Sequence, residues 1–254
     1  MTYDFNNGLF NYIKALAGTD TVLMLSVAVL FTVIVIFAAY ALGSINTAIL
    51  VSKILYHDDI RNHGSKNAGM TNILRTYGTK AALITLVGDI MKTVIAVIIG
   101  GALLGFNYVA GVALGTGGYI AAISVVVGHI FPIFHGFKGG KGVLATAAAV
   151  LVLSPPIFLI MIIIFALVFF PSKYISLASV SAAALLPVVF NGYIKFWIIG
   201  IPSPREISLV TIALAIIIVW RHKDNLIRIS NRTERKFSIG GKKKPPKEQD
   251  EDEK

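Results

Sequence analysis

Val143–Phe170 reads VLATAAAVLVLSPPIFLIMIIIFALVFF, 28 residues without a charge. As one helix it would extend about 42 Å at roughly 1.5 Å per residue, and a bilayer's hydrocarbon core is only about 30 Å thick. Pro155-Pro156 lies near its middle. Proline breaks a helix and pushes the residue before it out of the helical region. The stretch therefore predicts two short spans joined by a tight turn. Working outward, Thr21–Gly43, Ala81–Leu104 and Tyr108–Phe134 precede it as apolar runs, and Tyr174–Phe190 and Ile207–Trp220 follow. The reading is an all-α integral membrane protein with seven transmembrane helices, the last four short or kinked.

Composition agrees. The chain has 254 residues, 56% of them hydrophobic and 14% charged, with mean hydropathy +0.76. Soluble chains average about 25% charged residues. Seven spans place five Lys/Arg of segment 44–80, then Lys138, Lys141, Lys173 and eleven in 221–254, on one side, nineteen of the 23. Lys14, Lys195 and Arg205 fall on the other side. The positive-inside rule then puts the N-terminus outside and the C-terminus in the cytoplasm. Six spans would strand the basic tail opposite the other basic loops. The first twenty residues carry Asp4, Lys14 and Asp20 and do not resemble a cleavable signal peptide. They are read as an extracytoplasmic segment 1–20, followed by a seven-span domain 21–239. Residues 240–254 are lysine- and proline-rich, then acidic, and read as a disordered cytoplasmic tail.

No cysteine is present, which excludes disulfides, thiol nucleophiles and thiolate metal sites. Five histidines, at 57, 63, 129, 135 and 222, show no paired metal-ligand spacing. No metal, cofactor or nucleic-acid partner is expected.

Three polar segments share the cytoplasmic side. The first contains Gly64-Ser65-Lys66-Asn67-Ala68-Gly69-Met70-Thr71-Asn72-Ile73-Leu74-Arg75. Its glycines, hydroxyls, amides and cations suit a phosphate or carboxylate. The second is Gly136-Phe137-Lys138-Gly139-Gly140-Lys141-Gly142, the composition of a backbone nest with charge support. It lacks the spacing and the Ser/Thr of a Walker A loop; a basic turn at the membrane surface is the plainer reading. The third runs from His222-Lys223-Asp224-Asn225 to Glu234. Within the second span, Asp89 and Lys92 share a helical face, and a structural ion pair is expected there.

Taken together, these segments resemble the bacterial acyl-phosphate-dependent glycerol-3-phosphate acyltransferase family. The resemblance covers roughly residues 38–236. It runs through Gly43-Ser44-Ile45, Asp59-Ile60-Arg61, the stretch 64–75, Gly78, Asp89, Lys92 and Gly128-His129-x-x-Pro132. It continues with Phe137–Val143 and His222-x-x-Asn225-x-x-Arg228, and ends at Glu234. It implies a seven-span enzyme of the bacterial inner membrane that works on the cytoplasmic face. The implied reaction moves an acyl group from acyl phosphate to the 1-hydroxyl of sn-glycerol 3-phosphate, giving lysophosphatidic acid and phosphate. Acyl phosphate, glycerol 3-phosphate and membrane lipids are the implied partners. The resemblance implies catalytic roles for Ser65, Arg75, Lys141, His222 and Asn225. It implies binding of substrate phosphate by Asn67, Thr71, Asn72, Lys138, Gly139, Gly140, Gly142 and Glu234.

The chemistry suits these residue types. Both substrates and the leaving group carry phosphate. An acyl phosphate is an activated anhydride, so positioning and electrostatic stabilisation can supply most of the rate without an enzyme nucleophile. The proton of the acceptor hydroxyl goes to a substrate phosphate, or to His222 as the rival base. Three positions depart from the family pattern: Lys66, Thr93 and Arg232 stand where glycine is usual. Lys66 either adds phosphate affinity or opposes a positive φ. A transporter of a phosphorylated metabolite is the alternative class; it predicts internal repeats, and none is found.

Overall fold

The computed structural model describes residues 8–17, 20–105, 108–198 and 205–237. The tail 240–254 lies outside them. Eleven α-helices and two short 3-10 helices are present among the described residues. Helix α1 (Gly8–Ala17) packs on the next two long helices. Helix α2 (Thr21–Ser44) begins at Asp20, whose carboxylate accepts from the Leu23 N–H at 3.0 Å. It breaks at Ile45-Asn46, and Asn46 caps α3 (Thr47–Tyr56) by accepting from the Ile49 N–H. The sequence reading took 44–80 as a loop. Helix α3 escapes it because its ten residues are too few to stand out as a span.

Helix α4 (Met70–Tyr77) leads into α5 (Thr79–Leu104). The third apolar run then departs from expectation. Its helix, α6 (Thr116–Ile130), starts eight residues after Tyr108. Strands β1 (Tyr108–Val109) and β2 (Val112–Ala113) form an antiparallel ribbon instead. Its turn residues Ala110 and Gly111 have φ of 47° and 76°, the left-handed pair that suits a two-residue hairpin.

Helices α7 (Val143–Leu153) and α8 (Pro155–Ser172) meet at Ser154. Pro155 occupies the first helical position, where a missing N–H leaves no bond unmade, and Ser154 caps by accepting from the Ile157 N–H. The proline pair thus divides the 28-residue run as its sequence indicates. Helix α9 (Ile175–Trp197) passes through Pro187 and outlasts the expected run by seven residues. Helices α10 (Arg205–Arg221) and α11 (Lys223–Ser230) complete the chain.

Five stretches are long and apolar enough to cross a membrane: Thr21–Tyr56, Thr79–Leu104, Thr116–His135, Pro155–Ser172 and Ile175–Trp197. Helix α7 is apolar but shorter. The outer faces need an apolar solvent: Phe37 is 68% exposed and Leu167 70%, and many other large apolar side chains on α2, α5 and α8 are exposed beside them.

Helix α6 is central, wedged between α2 and α5. Glycine permits the close approach. A Cβ on Gly43 would lie 2.2 Å from the Val125 carbonyl oxygen, and one on Gly128 2.3 Å from that of Tyr40. Small residues at helix contacts are the usual device in membranes. Helices α8, α9 and α10 form a second group. Helix α7 joins the two halves, and the chamber described next opens beside it.

Candidate active site

The first polar segment folds around one side chain. Asn72 is buried, and its Nδ2 donates to the carbonyls of Ile60 (3.2 Å), His63 (2.9 Å) and Asn67 (3.1 Å). Its Oδ1 accepts from the Ser65 N–H at 3.0 Å. Gly64 is required beside it, since a Cβ there would meet Asn72 Oδ1 at 2.3 Å. This corrects the expectation that Asn72 donates to phosphate: its amide is occupied by the loop's own backbone. The groups left facing outward are Ser65, Asn67, Thr71 and Arg75, the last two on α4. Burial and the nearby Arg235 lower the pKa of Arg75, opposed by Glu234.

Lys66 has a φ of 57° and Arg232 a φ of 56°. Both departures from glycine therefore sit where glycine is the unstrained choice, at a cost of about 1–2 kcal/mol each for an L-residue. Thr93 is different. It is helical, and its hydroxyl donates to the Asp89 carbonyl at 2.8 Å.

The second segment is held from outside. The Gly139 N–H donates to the Ile130 carbonyl and the Gly140 N–H to that of His129, both at 3.1 Å. The expected nest is corrected accordingly: these N–H groups close the end of α6 and are not free for an anion. The glycines serve contact instead, because a Cβ on Gly140 would lie 2.1 Å from His129 Nε2. Gly142, at φ +83°, turns the chain into α7, whose first-turn N–H groups lack intrahelical acceptors. Arg61 links the two segments by donating to the His135 carbonyl at 2.8 Å while gripping Asp59.

Beneath them lies the expected ion pair. Lys92 Nζ is 2.8 Å from Asp89 Oδ1. It also donates to the carbonyls of Gly43 (3.1 Å) and Ile45 (2.7 Å) and reaches His129 Nδ1 at 3.1 Å. The cluster fastens the α2–α3 break to α5 and α6. Gly43-Ser44 thus serves helix contact rather than the chamber.

In the third segment, Glu234 is the organiser. Its Oε1 accepts from Asn225 Nδ2 (2.6 Å) and Ser176 Oγ (2.8 Å), and its Oε2 from Arg228 Nε (2.8 Å). Burial raises its pKa, but these hydrogen bonds outweigh burial and the net shift is downward. Asn225 turns its Oδ1 to accept from Lys141 Nζ. Burial, with the nearby Arg228 and Arg221, lowers Lys141 to about 8, against the pull of Glu234. His222 Nδ1 lies 2.8 Å from the Ile218 carbonyl, which fixes the proton on Nδ1 and leaves Nε2 as an acceptor. Burial and the cations Lys141 and Arg221 push this ring down to about 4, so it is neutral at ordinary pH.

All three segments line one chamber of about 770 Å³. Its mouth carries Ser65, Asn67, Thr71, Arg75, Lys141 and Gly142 with His222, Asn225, Arg228 and Glu234, and Asn72 backs the wall. Its other end is an apolar arm between α7, α8 and α9. A second, polar pocket of about 750 Å³ adjoins it, sharing Ser65, Lys66, Asn67, Lys141, Asn225 and Arg228 and adding Arg61, Lys138, Gly139 and Arg221. Of the expected residues, Lys138 and Gly139 face only this outer pocket, and Gly140 lines neither. Ser176 and Arg221 join the site without having been expected. A serine in an apolar run and an arginine at a span exit carry no local signal.

A helical membrane protein with one chamber, cationic at its mouth and apolar in its depth, is the class that fold and site define. Residues 33–232 match the glycerol-3-phosphate acyltransferase family. A glycerol-3-phosphate acyltransferase of Geobacillus kaustophilus is 41% identical over 212 residues, covering 84% of this chain and 99% of the relative. One from Mycoplasmopsis agalactiae is 37% identical over 219 residues, covering 78% of this chain and 90% of the relative. The crystal structure of PlsY, an integral membrane glycerol 3-phosphate acyltransferase in its glycerol 3-phosphate form, superposes with a TM-score of 0.69 at 29% identity, covering 82% of this chain and 96% of that one. A lysophosphatidic acid form of PlsY superposes with a TM-score of 0.67. The chain belongs to the glycerol-3-phosphate acyltransferase family and is an acyltransferase.

Proposed function

We propose that this protein transfers an acyl group from acyl phosphate to the 1-hydroxyl of sn-glycerol 3-phosphate, releasing lysophosphatidic acid and inorganic phosphate. One observation carries the reading: a single chamber joins a cationic mouth to an apolar arm. A donor with a phosphate at one end and an acyl chain at the other matches both halves.

Ser65, Thr71, Arg75 and Asn67 hold one phosphate on the first segment, with Asn72 as the strut that shapes it. Lys141 and the first turn of α7 beyond Gly142 hold the other charge that develops at the reacting carbonyl. Lys138 and Gly139 serve the outer pocket, where glycerol 3-phosphate approaches. Glu234 fixes Asn225 and Arg228 rather than touching phosphate, since two anions repel. The acceptor oxygen forms a bond to the acyl carbon as the bond from that carbon to the phosphate oxygen breaks. The hydroxyl proton goes to the departing phosphate. A ring with a pKa of about 4 is a weak base at neutral pH. His222 Nε2 therefore orients glycerol 3-phosphate by accepting from its 2-hydroxyl, which leaves the proton of the 1-hydroxyl to the phosphate.

Residues 21–239 act as one seven-span domain in the bacterial plasma membrane, with the N-terminal segment outside and the chamber mouth on the cytoplasmic side. Nineteen of the 23 Lys and Arg on one side of that topology support it. So do contacts that gather residues 61, 135, 141, 173, 225 and 237 at one end of the bundle.

The purified chain supplied with acyl phosphate and labelled glycerol 3-phosphate, without acyl-CoA, is expected to form labelled lysophosphatidic acid. Product from acyl-CoA alone, or none with any acyl phosphate, would reject the donor assignment.

A further inference from the structure

The apolar arm of the chamber runs inward along α7 and α9. Its floor is Val150 of α7 and Leu186 of α9, 4% and 2% exposed. Both belong to one packed cluster with Leu153, Ile157, Tyr119 and Phe190 beneath them. That support is anchored: the Tyr119 and Phe190 rings meet edge to face at 6.1 Å, and the Tyr119 hydroxyl donates to the Ala113 carbonyl at 2.8 Å. The walls above the floor are open because α9 presents Ser179, Ala182 and Ala183 there, residues too small to fill the space.

The depth is set by helix geometry. Ser176 stands at the mouth, bonded to Glu234, and Leu186 at the floor. The ten residues between them correspond to about 15 Å at roughly 1.5 Å per residue. That is half the roughly 30 Å hydrocarbon core of a bilayer, the room that the acyl chains of one leaflet occupy.

The geometry points to a measuring chamber: Leu186 and Val150 set the longest acyl chain that the enzyme transfers efficiently, and the small residues of α9 keep shorter chains unobstructed. The inference rests on the acyl-phosphate reading above. A chain that is too long must buckle against a packed floor, and its carbonyl is then withdrawn from Lys141. The rival arrangement is a chain that leaves sideways past α8, where Ile162 is 48% exposed. The floor would then be irrelevant.

The test is a series of saturated acyl phosphates, short to long, with the full-length purified chain and its variants. Wild type is expected to show a maximum, with the rate falling roughly tenfold or more beyond it, the scale that overpacking a fixed core produces. Leu186→Ala is expected to move the maximum to chains longer by about two methylenes, matching the side-chain volume removed, and Val150→Ala to move it the same way. Ala183→Phe, about one turn nearer the mouth, is expected to move it to shorter chains. Shifts in opposite directions cannot arise from misfolding, which lowers every chain length alike. Product formation with a flat profile, or with a maximum that no variant moves, would overturn the measuring floor. Absence of product at every length would instead reject the donor assignment.

Discussion

Two glycine-rich turns flank the mouth of the chamber, and they are built in opposite ways. The 64–75 stretch is organised from within, because Asn72 bonds to three carbonyls and one N–H around its own loop. It therefore offers side chains to the chamber. The 136–142 turn is organised from without, because its N–H groups complete the end of α6. It offers a helix start and one lysine. Both turns combine glycine with cations, and that shared chemistry conceals a difference in what each presents to an anion. A polar group already paired in the fold is unavailable to a ligand.

The largest expected effects come from Arg75 on the first turn and Lys141 on the second, the cations at the chamber mouth. Arg75→Ala and Lys141→Ala should each lower kcat/KM by about 10²–10³, the usual loss when a charge-stabilising group is removed, while the protein still inserts in the membrane. Retained activity in either variant would break the comparison by removing that turn from the reaction.

Asn72→Ala separates scaffold from ligand. It removes the side chain that ties Ile60, His63, Ser65 and Asn67 together. The three carbonyls keep their backbone donors, but the Ser65 N–H loses its acceptor and the loop its strut, a loss of about 1–3 kcal/mol. Thermal stability and activity should fall together. Thr71→Ala on the same turn should raise the KM for substrate with little change in Tm. If Asn72→Ala changed KM alone, the amide would be a ligand after all.

A milder test uses pH. Lys141, lowered to about 8, is charged below that value and loses its proton as pH rises through it. His222, lowered to about 4, is neutral throughout the same range. The rate should hold between these values and decline on the alkaline side. Lys141→Arg should keep its charge at high pH and move that decline upward. An alkaline limb unmoved by this change would belong to another group.

The smallest effect is expected at Lys66. Lys66→Gly relieves a left-handed backbone at φ 57° and should stabilise the fold by about 1 kcal/mol. If the ammonium serves the outer pocket it lines, KM for glycerol 3-phosphate should rise severalfold. A gain in stability with KM unchanged would make Lys66 a tolerated misfit rather than a phosphate contact.

Much of this architecture is legible in the chain. Pro155-Pro156 marks the break at Ser154, and the apolar runs mark the long helices, because burial in lipid requires continuous apolar length. The start of α6 was less legible. The ribbon at 108–113 is as apolar as a span, and only its paired backbone sets it apart. Helix α3 escaped for the opposite reason, being short and partly polar.

Sequence by itself determined the membrane class, the division of the 143–170 run and the three polar segments that meet at the mouth. It also marked Lys66 and Arg232 as misplaced, and both carry the positive φ that glycine would favour. Tertiary structure alone decided which groups remain free to act. Asn72 and the N–H groups of Gly139 and Gly140 are engaged, whereas Ser176, 58 residues from Glu234, and Lys141, 84 from Asn225, are brought into the site. The reason is physical. A sequence lists donors and acceptors, but hydrogen bonds between distant segments settle which of them are satisfied before a substrate arrives.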